Sequence, residues 1–182
     1  MDDGRIIELL GEGERNQAFN LMVRNYSERL YWHLRSMVHC HEDADDLLQN
    51  TWIRVWKAID GFRNDSRLYT WLYRIATNEA ITFLNRSKVK AALSFDSYSH
   101  RIAGRLEAEG HFDGDKIQLA LQKAIAKLPA RQKAVFTMRY YEEMPYEDMA
   151  EILGVTASSL KASYHHAHKK VTEALKAQLD AD

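Results

Sequence analysis

Apolar residues three and four positions apart recur through most of this 182-residue chain, and that spacing restricts it to helices. Ala18, Leu21, Met22, Tyr26, Leu30, Leu34 and Val38 draw the first stripe, with Arg24, Glu28 and Arg35 largely outside it. A second, Leu48, Trp52, Val55, Trp56 and Ile59, spans a helix from about Asp43 to Ile59. A third, Leu72, Ile75, Ala76, Ala80, Phe83 and Leu84, carries a helix to about Arg86. Beyond residue 116 come Ile117, Leu121, Ala124, Ile125 and Leu128, closed by Pro129, which also suits the first turn of a helix burying Val135, Phe136, Met138 and Tyr140. Pro145 opens a short helix through Leu153, and Leu160, Tyr164, Ala167, Val171 and Leu175 stripe a last one. The expected fold class is all-α.

Residues 88 to about 115 interrupt this periodicity with Ser94, Ser97, Ser99, Gly104, Gly110 and Gly114. Two small helical domains joined by a flexible linker follow: 1–90, a linker over 91–115 with weak helix around Arg101 to Glu109, and 116–182. An apolar share of 46% with 28% charged residues belongs to a globular, not a disordered, chain. No stretch approaches the roughly 18 apolar residues of a membrane span and no secretory signal opens the chain, so no membrane insertion is expected. Cys40 is the one cysteine, which excludes an internal disulfide framework and agrees with a reducing cytosol.

The formal net charge of −1 argues against general nucleic-acid binding, but the charges are segregated. Residues 61–90 carry Arg63, Arg67, Arg74, Arg86, Lys88 and Lys90 against Asp65 and Glu79, a local balance of 6 − 2 = +4. Lys161, Lys169 and Lys170 stand with three histidines and no acid between 156 and 170. Glu42, Asp43, Asp45 and Asp46 crowd the opposite sign at the start of the second helix. The helix dipole accounts for one or two of these acids. Four of them followed by Gln49 and Asn50 exceed that need and offer a docking face for a basic partner. Separate surfaces of opposite sign suggest two kinds of partner, one polyanionic; solvated faces that merely cluster are the plainer alternative.

Between the second and third helices lies the loop Phe62-Arg63-Asn64-Asp65-Ser66. Gly61 and Asn64 tolerate left-handed backbone, and Asp65 or Ser66 can cap the helix that follows. Arg74, Asn78 and Asn85 lie off that helix's apolar stripe. Near the other end, Ala150, a turn at Gly154 and a Thr156 cap before the last helix make a helix-turn-helix pattern, which any helical hairpin can mimic. The start of its second helix, Ser158, Lys161, Ala162 and His165, would face the major groove. Metal ligation is not expected. His39, Cys40 and His41 at a helix end would point apart, and among His165, His166 and His168 only the first and third share a face. No HExxH, paired ExxH or nucleophile–base arrangement marks an enzyme or calls for a cofactor or small-molecule substrate.

The stretch DADDLLQNTWIRVWKAIDGFRNDSRLYTWLYRIATNEAITFLNR resembles the second conserved region of bacterial RNA polymerase sigma factors. LPARQKAVFTMRYYEEMPYEDMAEILGV with TASSLKASYHHAHKKV resembles their fourth region. With only a short linker between, the chain is similar to the extracytoplasmic-function (ECF) group over roughly 15–90 and 115–178. The resemblance implies a cytoplasmic, non-catalytic initiation factor that binds core polymerase and promoter DNA, with an anti-sigma factor as a further partner. Asp43, Asp46, Gln49 and Asn50 would dock on the polymerase, with Asn50 standing where relatives resemble glutamate. Phe62, Arg63, Asn64, Asp65, Ser66 and Arg67, with Tyr73, Arg74 and Asn78, would capture an unstacked base and guide the melted minus-ten strand. Asn64 stands where glycine is frequent, so an altered loop shape is expected. Trp71 is read as core beneath the loop, and Tyr73 as either core or stacking platform.

Tyr146, Thr156, Ser158, Ser159, Lys161, Ala162, His165 and Lys169 would meet the minus-thirty-five element. There Ser163, His166 and His168 replace arginines of the family pattern, implying a weaker contact that depends more on pH. A stand-alone helix-turn-helix regulator is the alternative, but it leaves the first half without a purpose.

Overall fold

The computed structural model describes residues 3–93, Gly104 and 116–179, and all regular structure in them is helical. Four helices build the first half: α1 (Asp3–Gly11), α2 (Arg15–Val38), α3 (His41–Ala58) and α4 (Leu68–Leu93). A 3-10 turn over Ile59–Gly61 links α3 to the loop ahead of α4. Four more build the second half: α5 (Lys116–Ala126), α6 (Ala130–Tyr140), α7 (Tyr146–Leu153) and α8 (Ala157–Leu179). Of the linker expected over 91–115, residues 91–93 continue helix α4, and apart from Gly104 the rest, with its weak helix, lies outside the described residues.

The stripes face inward much as their spacing predicts. Ala18, Met22, Tyr26, Leu30, Leu34 and Val38 of α2 are all buried, as are Val55, Ile59, Leu72, Ala76, Ala80 and Leu84. Trp52 and Trp56 are half-buried, each with its ring edge against Phe19. Helix α1 precedes the first apolar stripe of the sequence. It buries Ile6 and Leu9 in the same core, and Tyr26 donates its hydroxyl hydrogen to Asp3 at 2.6 Å. Helix α4 runs past Arg86 to Leu93.

In the second half, α5 and α6 pack on α8 through Ala124, Ile125, Leu128, Phe136, Ala167 and Val171. Two expected core residues lie outside. Ile117 is 58% exposed, in the first turn of α5 ahead of the residues that meet α8, and Tyr140 is 46% exposed although its ring stacks on Phe136 at 5.1 Å. Gly154 ends α7 at φ 66°, and its N–H and that of Val155 both donate to the Ala150 carbonyl. Thr156 Oγ1 accepts from the Ser159 N–H at 3.2 Å, capping α8. Gly154→Ala is expected to cost about 1–2 kcal/mol through left-handed strain alone, since the added Cβ meets open space, and urea unfolding would register the loss.

The halves do not stand apart. Met144, Met149, Ile152 and Leu160 of the second belong to the same core as Leu34, Leu68, Leu72 and Tyr73 of the first. Helix α7 lies on α4, and α6 touches both α2 and α4.

Candidate nucleic-acid interface

The residues expected to meet partners fall into three groups. The first is on α3, where Asp46, Gln49 and Asn50 are exposed along one edge at the i, i+3, i+4 spacing of a helix face. Leu47, Thr51 and Val55 on the opposite side are buried, so the edge is held rigidly. Asp43 is half-buried in the first turn. Cys40, extended and buried, precedes α3, and His39 closes α2 in the left-handed conformation, so the two do not share a helix face with His41. Burial and the neighbouring cations Lys133 and Arg35 hold the His39 imidazole well below its usual range, hence neutral.

The second group is the loop and α4. Arg63, Asn64 and Asp65 are exposed and Ser66 is half-buried. Asn64 takes φ 57°, the left-handed backbone glycine would supply, so the expected change in loop shape does not arise from a different backbone region. Phe62 and Trp71 pack on each other at 5.0 Å, and both lie against the core, as expected of Trp71. Asn78 is exposed on α4. Tyr73 is only 2% exposed, which places it in the core in this conformation. Burial and the nearby Glu142 carboxylate keep its hydroxyl protonated far above the ordinary range.

Arg67 and Arg74 are engaged by the second half. Arg67 donates to Asp148 and lies 4.0 Å from Glu151, and Arg74 donates to the Glu151 carbonyl at 2.8 Å. The hydrogen bond and charge of Asp148 raise the Arg67 pKa further. Thr70 completes the row by donating to Glu151 Oε1 at 2.8 Å. Asp148 and Glu151 do not stand out in the sequence, because acids on a short amphipathic helix read as a solvated face, and Thr70 and Glu142 carry no local signal.

The third group is the start of α8. Thr156, Ser158, Ser159, Lys161, Ala162, His165 and Lys169 are all exposed, and Tyr146 is half-buried beneath them. Lys161 Nζ sits 5.7 Å from the Tyr146 ring and Arg139 covers it at 5.1 Å, so Tyr146 braces cations at the mouth of the motif. Among the described residues no group of His, Cys, Asp and Glu could hold a metal ion.

A helix-turn-helix whose second helix is exposed, packed on a four-helix unit that carries an exposed acidic edge, is the architecture of a DNA-binding protein. Residues 22–89 match the family Sigma-70 region 2, and residues 118–171 match Sigma-70, region 4. The chain is 28% identical to the RNA polymerase sigma-H factor of Pseudomonas aeruginosa, over 95% of its length and 93% of that protein's. It is 27% identical to the ECF RNA polymerase sigma-E factor of Haemophilus influenzae, covering 94% of each. The sigma factor RpoE of Bartonella quintana, solved with the anti-sigma factor NepR, superposes with a TM-score of 0.63 at 23% identity, over 87% of this chain and 96% of that one. The chain belongs to the ECF group of RNA polymerase sigma factors, which direct RNA polymerase to promoters.

Proposed function

We propose that this protein is a dissociable cytoplasmic initiation factor without catalytic activity, whose parts divide the work as follows. The α3 edge of Asp43, Asp46, Gln49 and Asn50 docks on core polymerase. The loop from Phe62 to Arg67, with Arg74 and Asn78, takes the melted minus-ten strand: polar groups of the loop read the flipped base and the arginines follow the backbone. The face of α8 from Thr156 to Lys169, with Tyr146 behind it, grips the minus-thirty-five duplex. The two-domain division at the 91–115 linker serves this by letting the grips separate.

The observation that carries the reading is the exposed edge Asp46-Gln49-Asn50 on a helix whose other side is core, leading through one short turn into an exposed loop with Asn64 in left-handed backbone. Serine and histidine in place of arginine at Ser163, His166 and His168 of α8 leave the minus-thirty-five grip weaker in charge, so the docking edge and the loop carry more of the specificity. The Bartonella quintana protein was solved with an anti-sigma factor, and a partner of that kind is proposed here as well. The test is reconstitution. Purified protein added to core polymerase should yield transcripts from defined start sites on genomic DNA, where core alone yields none. Duplex binding at nanomolar affinity without polymerase, and no effect on transcription, would favour the stand-alone regulator instead.

A further inference from the structure

Trp32 stands out from α2 with 59% of its surface exposed, whereas Trp52, Trp56 and Trp71 are half-buried. A large aromatic left in water and rimmed by charge marks a recognition surface. Arg29 and Arg35 lie three residues to either side of Trp32, so both are its neighbours along the helix surface. All three line an open cavity of about 610 Å³, a volume within the range of about 300–1,000 Å³ that small-molecule sites occupy. Its other wall comes from the chain just beyond α6, where Tyr141 is 40% exposed and its hydroxyl accepts a hydrogen bond from Gln122 of α5 at 2.9 Å. With the histidines neutral, the lining charges are Arg29 and Arg35 against Glu142, so 2 − 1 = +1. Glu142 is already engaged by His33 Nδ1 at 2.6 Å. Arg29 lies 5.5 Å over the Tyr69 ring and pairs with no carboxylate among the described residues. His39 also lines the cavity, and its buried Nε2 has no hydrogen-bond partner among the described residues.

We infer that this cavity is a binding site for a small aromatic carboxylate. The guanidinium of Arg29 presents the planar fork of donors that a carboxylate accepts in pairs. The ring of such a ligand takes the aromatic surface of Trp32 and Tyr141, where stacking adds to the area removed from water. A ring N–H or O–H would satisfy His39 Nε2, which otherwise carries the cost of an unpaired buried polar atom. A single negative charge matches the balance of +1, while a dianion would leave surplus charge beside Glu142. Neither the α3 edge of Asp46, Gln49 and Asn50, nor Asn64, nor the exposed face of α8 lines the cavity. The site is therefore separate from the proposed polymerase and promoter contacts, and it would make the protein responsive to a small molecule.

The test is isothermal titration calorimetry of the full chain with indoleacetate. One site per chain is expected, with Kd on the order of 0.1 mM, and a melting temperature that rises with ligand concentration. Arg29→Gln and Trp32→Ala should each weaken binding about tenfold or more. Both side chains are exposed, so the melts of the unliganded variants should match that of the wild type. Tryptophol, which keeps the ring but has an alcohol in place of the carboxylate, should bind about tenfold more weakly than indoleacetate. Acetate, which has the charge without the ring, should give no heat. Absence of binding by both indoleacetate and the smaller hydroxybenzoate would overturn the inference. So would wild-type affinity in Arg29→Gln and Trp32→Ala, which would put the ligand elsewhere, or equal affinity for tryptophol, which would mean that the cavity does not select an anion. Reconstituted transcription without ligand tests the initiation reading separately.

Discussion

Asp46→Arg combined with Gln49→Ala is expected to weaken binding to core polymerase by at least about 100-fold and to abolish promoter-directed transcription. Both side chains are exposed on α3, so the change leaves the core of Leu47, Thr51 and Val55 intact. Exposed substitutions of this kind stay within about 0.5 kcal/mol in stability. Across an interface the balance differs. Truncating one member of a buried charge pair costs about 2–5 kcal/mol, and reversing the sign adds repulsion to the loss. Asp46 follows Glu42, Asp43 and Asp45, and a local field of four acids draws a basic partner more strongly than one carboxylate would. Binding of labelled protein to core polymerase, measured at two salt concentrations beside a thermal melt, separates docking from folding. Wild-type affinity in the double variant would remove the α3 edge from the polymerase contact.

What the chain reveals before folding is uneven, and the reason is physical. Periodicity reports whether a residue is turned toward its own helix's buried side, so α2, α3 and the inner face of α4 were legible from Ala18 to Leu84. The turn at Gly154 and the cap at Thr156 are local, and both formed as their residue types dictate. Periodicity is silent about what a polar face meets. Arg67 and Asp148 are 81 positions apart, each on a face that reads as solvated, and nothing in either neighbourhood forecasts their pairing. Tyr73 shows the same limit: alone on α4 it could be platform or core, and the second half's arrival over it decides for burial. Stripes overreach at helix starts and ends, where neighbours are missing on one side, hence exposed Ile117 and Tyr140.

Buried ionisable groups shape how the protein responds to alkali. Lys133 on α6 is 1% exposed, and burial lowers its ammonium pKa to about 7. In the unfolded chain the same group titrates near 10.4. Between those values the unfolded chain holds a proton that the folded chain has released, so stability rises with pH. With each unit worth about 1.4 kcal/mol, the rise from pH 7 to 9.5 comes to roughly 3 kcal/mol, on the order of 100-fold in the folding equilibrium. The trend reverses above pH 10. Burial pushes Tyr69 and Tyr141 up to about 12 and Tyr26 and Tyr73 higher still, so there the unfolded chain loses protons that the folded chain keeps. On the acid side neutral His39 works the same way as Lys133, favouring unfolding as pH falls below its ordinary 6.5. Stability should therefore peak near pH 9.5, above the usual range of about 5–8. Urea unfolding at half-unit intervals from pH 6 to 11 would trace the peak, and Lys133→Met should flatten its rising limb. A wild-type profile level between pH 7 and 9.5 would mean that Lys133 keeps an ordinary pKa in the folded chain.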